Sequence, residues 1–515
     1  MKNGSTLPPL QDLPPLSGHR ARDDRGLMAA LLVLVAFVGL LFAKDVPVST
    51  SAYVVGLAGM ASILLAMWIK YQRRWSLNGE IVFIGGITVQ YLLAPVLLRW
   101  ITGDYSEYLV VQQDVTWERF EVREGHTGGM LIVLLFVSVF LLASHFIKRP
   151  ALEGHENGTS HVIFSRGSMW LVLGLAAILW ATRLILLKTG SFYHLDRSDF
   201  SYDDWRYSIL AQIDTTFGAL VLAYLFARVL LVSGSMHWIT WVYLGIDLCW
   251  NFASGTRAKT LMIFICLIVT FIVARRRIPF KLLAMAFLMG IVLVGFMDYY
   301  RYAVRETGTA SELTIGRVLD AVDTATERTA FSGLEKTTVV GLSRLSDLDS
   351  IAATYWWVPE IVDYQNGETY WGLLLAFVPR FVWQEKPEVN LPLNRWFFTR
   401  EGGTSPITIM GEGYMNFGWY GVVLSALFTA FLLGYSERFI LRFRGQGVFL
   451  PIYVSYLLAL GLIHTSCAAV QLGIVLKLCL LMVFAHFLSQ ILNGQEAPEP
   501  LSGFPRGRFS PHGST

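Results

Sequence analysis

The chain has 515 residues, 54% of them hydrophobic and only 15% charged, with a mean hydropathy of +0.50. This balance excludes a water-soluble globular domain and a wholly disordered chain, and it marks a polytopic membrane protein. The formal net charge of +3 selects no class of partner and gives no reason to expect a nucleic acid.

The first 25 or so residues are polar and Pro-rich and read as a disordered tail. The apolar run behind them lacks a small-residue cleavage site and is expected to be a retained span. Runs of roughly 17–25 apolar residues suffice to cross a bilayer. About 12 are expected, near 26–43, 50–69, 79–98, 127–147, 167–187, 209–232, 236–253, 259–274, 281–300, 418–434, 448–464 and 474–492. The third is interrupted by Gly85, Gly86 and Pro95, and the seventh carries Asp247. The predicted fold is therefore all-α and polytopic. Spans one to nine fill 26–300, a large loop covers 301–417, spans ten to twelve fill 418–492, and 493–515 is a second polar tail.

Lys and Arg mark alternate connections. Arg20, Arg22 and Arg25 precede the first span; Lys70, Arg73 and Arg74 follow the second; Lys148 and Arg149 the fourth; Arg275, Arg276 and Arg277 the eighth; Arg438, Arg442 and Arg444 the tenth. Short loops and tails place about 20 basic residues on one side and about 9 on the other, which predicts cytoplasmic termini and an external 301–417 loop. The four cysteines, Cys249, Cys266, Cys467 and Cys479, lie in or beside apolar spans and show no metal or redox spacing. No metal site and no cofactor are expected.

Arg183, Asp214, Asp247 and Lys477 fall inside apolar runs. Ionisable groups are expensive in lipid and face protein or a wet cavity. Arg183 and Asp247 lie toward the outer ends of their predicted spans and are candidates for the floor of an outward-facing site; snorkelling or a structural ion pair is the other reading. The turn Asn251-Phe-Ala-Ser-Gly-Thr-Arg-Ala-Lys259 puts Arg257 and Lys259 at the outer headgroup level, against the general charge bias. A phosphate partner is one reason for that placement; an ordinary solvated turn is the other.

The loop opens with helical spacing. Leu313, Val318, Leu319 and Val322, then Leu342, Leu345, Leu348 and Ile351, suit amphipathic helices lying on the membrane or capping the bundle. The Asp347-Leu-Asp349 pair resembles a metal-binding Asp-x-Asp, but on that stripe it reads as a solvated face. Three denser segments follow: Gly367-Glu-Thr-Tyr-Trp-Gly372, Phe377-Val-Pro-Arg-Phe-Val-Trp-Gln-Glu-Lys-Pro387 and Gly411-Glu-Gly-Tyr-Met-Asn-Phe-Gly418. Arg380, Lys386, Arg395 and Arg400 alternate with Phe381, Trp383, Trp396 and Phe397. Guanidinium forks suit phosphates, and flat rings suit sugar C–H faces. Glu385, Glu388 and Glu401 lie among the cations and allow local ion pairing instead.

These segments resemble bacterial O-antigen and exopolysaccharide repeat-unit polymerases of the Wzy type. The likeness rests on Gly367-x-Thr before an apolar stretch, Pro-Arg380, Trp383, Lys386-Pro, and Gly-Glu412-x-Tyr414-x-Asn416-Phe-Gly-x-x-Gly421. The Ser254-Gly-Thr-Arg257 turn is similar to theirs, although Gly-Ser-Arg-Gly is the commoner form. Arg305/Gly316 and Arg400/Gly411 repeat an Arg-x10-Gly spacing that some of these polymerases carry, at about the frequency chance allows. The resemblance spans residues 170–470. It implies a glycosyltransferase C-like membrane architecture in the bacterial inner membrane. It also implies a reaction in which a glycan on undecaprenyl pyrophosphate is transferred to the sugar end of a lipid-linked repeat unit, without nucleotide or cofactor. A chain-length regulator is an expected partner.

On that basis Arg257 and Arg380 are candidates for stabilising the pyrophosphate leaving group, and Glu412 for the general base, with a structural carboxylate bonded to loop amides as the other reading of Glu412. Arg400, Lys386, Trp383, Lys259, Arg305, Tyr414 and Asn416 are candidate substrate contacts. His194 and His464 are lone histidines and read as structural. The alternatives are an O-antigen ligase, a lipid-linked oligosaccharide flippase and a non-catalytic assembly protein.

Overall fold

The computed structural model describes residues 17–41, 48–71, 77–102, 122–147, 166–188, 205–231, 237–255, 257–275, 280–306, 315–360, 362–375, 378, 383, 408–443 and 449–493. Their regular structure is entirely helical. The helices are α1 (Ser17–Leu41), α2 (Val48–Tyr71), α3 (Gly79–Thr88), α4 (Ala94–Thr102), α5 (Val122–Phe146), α6 (Arg166–Lys188), α7 (Trp205–Leu231) and α8 (His237–Ala253). They continue as α9 (Arg257–Arg275), α10 (Phe280–Glu306), α11 (Ile315–Leu345), α12 (Leu348–Trp357), α13 (Trp371–Leu375), α14 (Ile409–Leu441), α15 (Phe449–Ile463) and α16 (Ala468–Asn493).

Among the described residues, eight helical stretches are long and apolar enough to cross a membrane, and Arg25–Leu41, Lys259–Ala274 and Phe449–Gly461 are shorter apolar helices. The seventh expected span is α8, of 17 residues. The third is one stretch, Gly79–Ile101, built from α3 and α4 joined by a π-helical turn at Val89–Leu93. Pro95 explains the join: it has no N–H, and its ring crowds the carbonyl four residues back, so the ladder rephases there. Helix α1 starts at Ser17, inside the stretch read as a tail, and α14 starts at Ile409, ahead of the span expected from 418.

Helix α5 is apolar on nearly all sides and is the buried pillar of the bundle, packed by α1, α2, α12 and α14. Ile147 at its far end meets Gly434 of late α14, so its first turns lie beside the start of α14. Leu171, Ile452, Met482 and Ala485 share one cluster with Phe443. Early α6 and α15 therefore sit with late α14 and α16, and the opposite ends gather at the other face. The first of these faces carries Lys70 paired with Glu80, and Glu437, which accepts from Gly79 N (2.8 Å) and Tyr453 Oη (3.0 Å). Arg228 and Arg438 lie there too.

The expected surface helices are placed differently. Helix α11 turns back along α10, where the backbone carbonyls of Thr337 and Ile291 touch the positions a Cβ would take at Gly295 and Gly341. Val339 and Leu342 pack with Ile291 and with Ala94 and Leu98 of α4. This contact is about 15 Å in from Arg301, the end of the α10 apolar stretch. Helix α12 then climbs along α5, with Leu348 at Gly129 and Ala352 against Gly125. The α11–α12 hairpin is thus inserted between helices rather than laid over them. Its apolar stripe is satisfied by protein side chains instead of lipid.

Candidate functional site

Two polar constellations lie at the bundle face opposite Lys70 and Glu437, and a third lies deeper, at the tip of the inserted hairpin. The first joins α6, α7, α8 and α9. Arg183 is 1% exposed; its Nε donates to Asp214 Oδ1 at 2.8 Å, and its Nη2 lies 2.6 Å from Asp247 Oδ1. Lys259, 20% exposed, pairs with the other oxygen of Asp214. The guanidinium lies over the rings of Trp180 (4.8 Å) and Trp250 (5.3 Å), and Gly218 leaves it room. Two cations and two anions cancel, so the network holds four helices together without a net buried charge.

The second is built by the Gly411–Gly418 motif. Thr408 caps the helix by accepting from Gly411 N (2.9 Å). After about two buried turns the chain reverses at Phe417 and Gly418 (φ 59°), a conformation that favours glycine. The halves of α14 then press together, because a Cβ on Gly421 would stand 1.8 Å from the Gly413 carbonyl oxygen. Glu412 is 0% exposed, and its Oε2 accepts from Ala468 N at the start of α16 (2.6 Å). Negative charge at a helix N-terminus is favourable there. Thr369 lies beside the same carboxylate. Asn416 donates to Thr369 Oγ1 (2.7 Å) and accepts from Gly367 N (2.9 Å), so the two halves of the motif are tied together. Tyr414 is buried between Tyr355 and Trp419, each 5.5 Å away.

The third is the hairpin tip. Asp349 Oδ1 meets His126 Nε2 at 2.9 Å. Asp347 sits at the N-cap of α12 but makes no capping bond. Its carboxylate stays half-buried, and crowding by protein together with the Asp349 charge pushes its pKa up to about 7. Tyr91 Oη and Ser346 Oγ are buried nearby without hydrogen bonds. The pair read from sequence as a solvated face is instead half-buried, and α5 supplies Asp349 with a histidine partner that linear spacing does not reveal.

Of the residues singled out from sequence, Glu412, Tyr414 and Asn416 share one short helix, and Lys259 joins the Arg183 network. Arg257 is the first residue of α9, and Arg305 lies in the last turn of α10. Trp383 is 41% exposed. Arg380, Lys386 and Arg400 lie outside the described residues. All four cysteines are free. Sequence reasoning missed His126 and the Trp180/Trp250 pair; the signal for the first was a histidine inside the small-residue run Gly125-His-Thr-Gly-Gly129. No protein-family model matches the chain, and neither a curated protein nor a solved structure matches it.

Proposed function

We propose that the chain is a membrane glycosyltransferase that polymerises undecaprenyl-pyrophosphate-linked repeat units at the outer face of the bacterial inner membrane. The observation that carries this reading is the joining of the two separated motif segments. Asn416 binds both Gly367 and Thr369, so residues that resemble the polymerase pattern act as one unit at one bundle face. In the reaction, the acceptor hydroxyl attacks the anomeric carbon of the donor and pyrophosphate departs. Arg257, Arg380 and Arg400 supply fixed charge to that leaving group, and Lys386, Trp383, Arg305 and Lys259 contact the substrates. Glu412, enclosed and bonded to the start of α16, holds this unit in place.

A gene deletion tests the reading. Single repeats should accumulate outside on the carrier. Accumulation inside would point to a flippase, and long chains left on the carrier to a ligase. Arg257→Ala, Arg380→Ala and Arg400→Ala should each lower long glycan about 10²–10³-fold at normal protein level. Lysine at these sites should restore only part of the yield, because a point charge does not replace a bidentate fork.

The flippase reading draws on one specific feature: the reversal in α14 and the π turn beside Pro95 are the interrupted helices from which transporters build midplane sites. Orientation is checked separately. Asp363 is exposed next to the motif unit, so Asp363→Cys should react with an impermeant thiol reagent in intact spheroplasts and Ser510→Cys should not. Labelling of Ser510→Cys alone would invert the topology.

A further inference from the structure

The polymerase reading uses neither the hairpin tip nor the residues it faces. Ser346 adjoins Asp347 in the chain, Tyr91 lies within its electrostatic range, and His464 packs on the Tyr91 ring. Tyr91 Oη, Ser346 Oγ and His464 Nδ1 are buried without hydrogen bonds. The His464 ring stands edge-on to Tyr91 at 5.5 Å, and Asp347 is within electrostatic range of the Tyr91 hydroxyl. His464 Nε2 lies 2.7 Å from Gln90 Oε1 and donates to it, which leaves Nδ1 as an acceptor. The Asp347 carboxylate has no hydrogen bond among the described residues. Buried polar groups without a partner are unfavourable, so this set suits a polar ligand.

The chemistry selects that ligand. Tyr91 and Ser346 donate or accept, whereas His464 Nδ1 and Asp347 accept. A sugar face, whose hydroxyls do both, satisfies all of them. A phosphate would meet two carboxylates. No group of three or more metal-ligating side chains stands among the described residues.

We propose that the tip of the α11–α12 hairpin is the subsite for the acceptor sugar, and that Asp347 is the base for its attacking hydroxyl. The assignment rests on the polymerase reading. The hydroxyl oxygen bonds to the donor's anomeric carbon while that carbon's bond to the pyrophosphate oxygen breaks. The electron pair leaves with pyrophosphate, and the hydroxyl proton passes to Asp347. Asp349 is engaged by His126, which leaves Asp347 as the open carboxylate. A pKa near neutrality suits a base that must be ionised before the step and hold a proton after it.

The test uses the deletion strain complemented with variants, reading carrier-linked glycan length and protein abundance. Asn is as good an N-cap as Asp, so Asp347→Asn keeps the start of α12. It should accumulate normally, retain single repeats and lose long chains about 10²–10⁴-fold. Tyr91→Phe and Ser346→Ala should each cost about 2–10-fold, the worth of one neutral hydrogen bond. Normal chains from Asp347→Asn overturn the proposal. Should that variant fail to accumulate, the purified wild-type protein decides. Dicyclohexylcarbodiimide, which modifies carboxylic acids in apolar surroundings, should label Asp347. Lipid-linked single repeats should protect it and glycan-free undecaprenyl phosphate should not; absence of this difference overturns the proposal. A deletion that leaves chain length unchanged sinks the polymerase reading and the proposal with it. A stalled deletion beside an active Asp347→Asn sinks the proposal alone.

Discussion

Arg183→Ala should be the most damaging single substitution in the transmembrane bundle. It leaves Asp247 buried with no cation and Asp214 with only Lys259. Breaking a buried ion pair from one side costs about 3–5 kcal/mol, because the stranded charge keeps its desolvation penalty. The protein should insert, then lose packing among α6–α9, with a lower thermal midpoint in nanodiscs and reduced abundance in cells. Adding Asp247→Ala should cost less in the Arg183→Ala background than in wild type, by a coupling of about 0.5–3 kcal/mol. Strict additivity of the two changes would mean that the network contributes nothing as a unit.

Glu412 gives the second large effect, and the choice of replacement carries the information. Its carboxylate accepts the Ala468 N–H from inside a fully enclosed site. Leaving a buried backbone N–H without its acceptor costs about 1–3 kcal/mol. Glu412→Ala should incur that cost, release the start of α16 and lower abundance severalfold. In Glu412→Gln the amide oxygen still reaches Ala468, so abundance and chain length should remain close to wild type. Immunoblot and glycan length, read together, separate the roles. If Glu412→Gln accumulates normally but makes only single repeats, Glu412 is the proton acceptor and Asp347 is not.

The two predictions mark where sequence was informative. Apolar runs of span length are self-reporting, since lipid demands the same property from every residue that faces it. Arg183 and Asp247 were legible as charges inside apolar runs. Their pairing with Asp214 and Lys259 was not, because the partners come from separate helices. The Gly411–Gly418 motif was legible as a unit, and its two terminal glycines and Asn416 have visible backbone tasks. The task of Glu412 depends on Ala468, which no spacing rule connects to it. The α11–α12 hairpin was the hardest feature. An amphipathic stripe states that one face must be covered, and it is silent on whether lipid or another helix covers it. Asp347 and Asp349 were misread for that reason.

The inserted hairpin also sets a timetable. Asp349 meets His126 across 223 residues of chain, and His464 meets Gln90 across 374. At about 5–20 residues per second, α5 enters the membrane roughly 10–45 s before α12 exists to cover its glycine-lined groove. The pillar must therefore wait, half-clad, while the middle of the protein is made. The inner contact, between His126 and Asp349, can close first, and the later α15 end then locks onto the third span through His464 and Gln90.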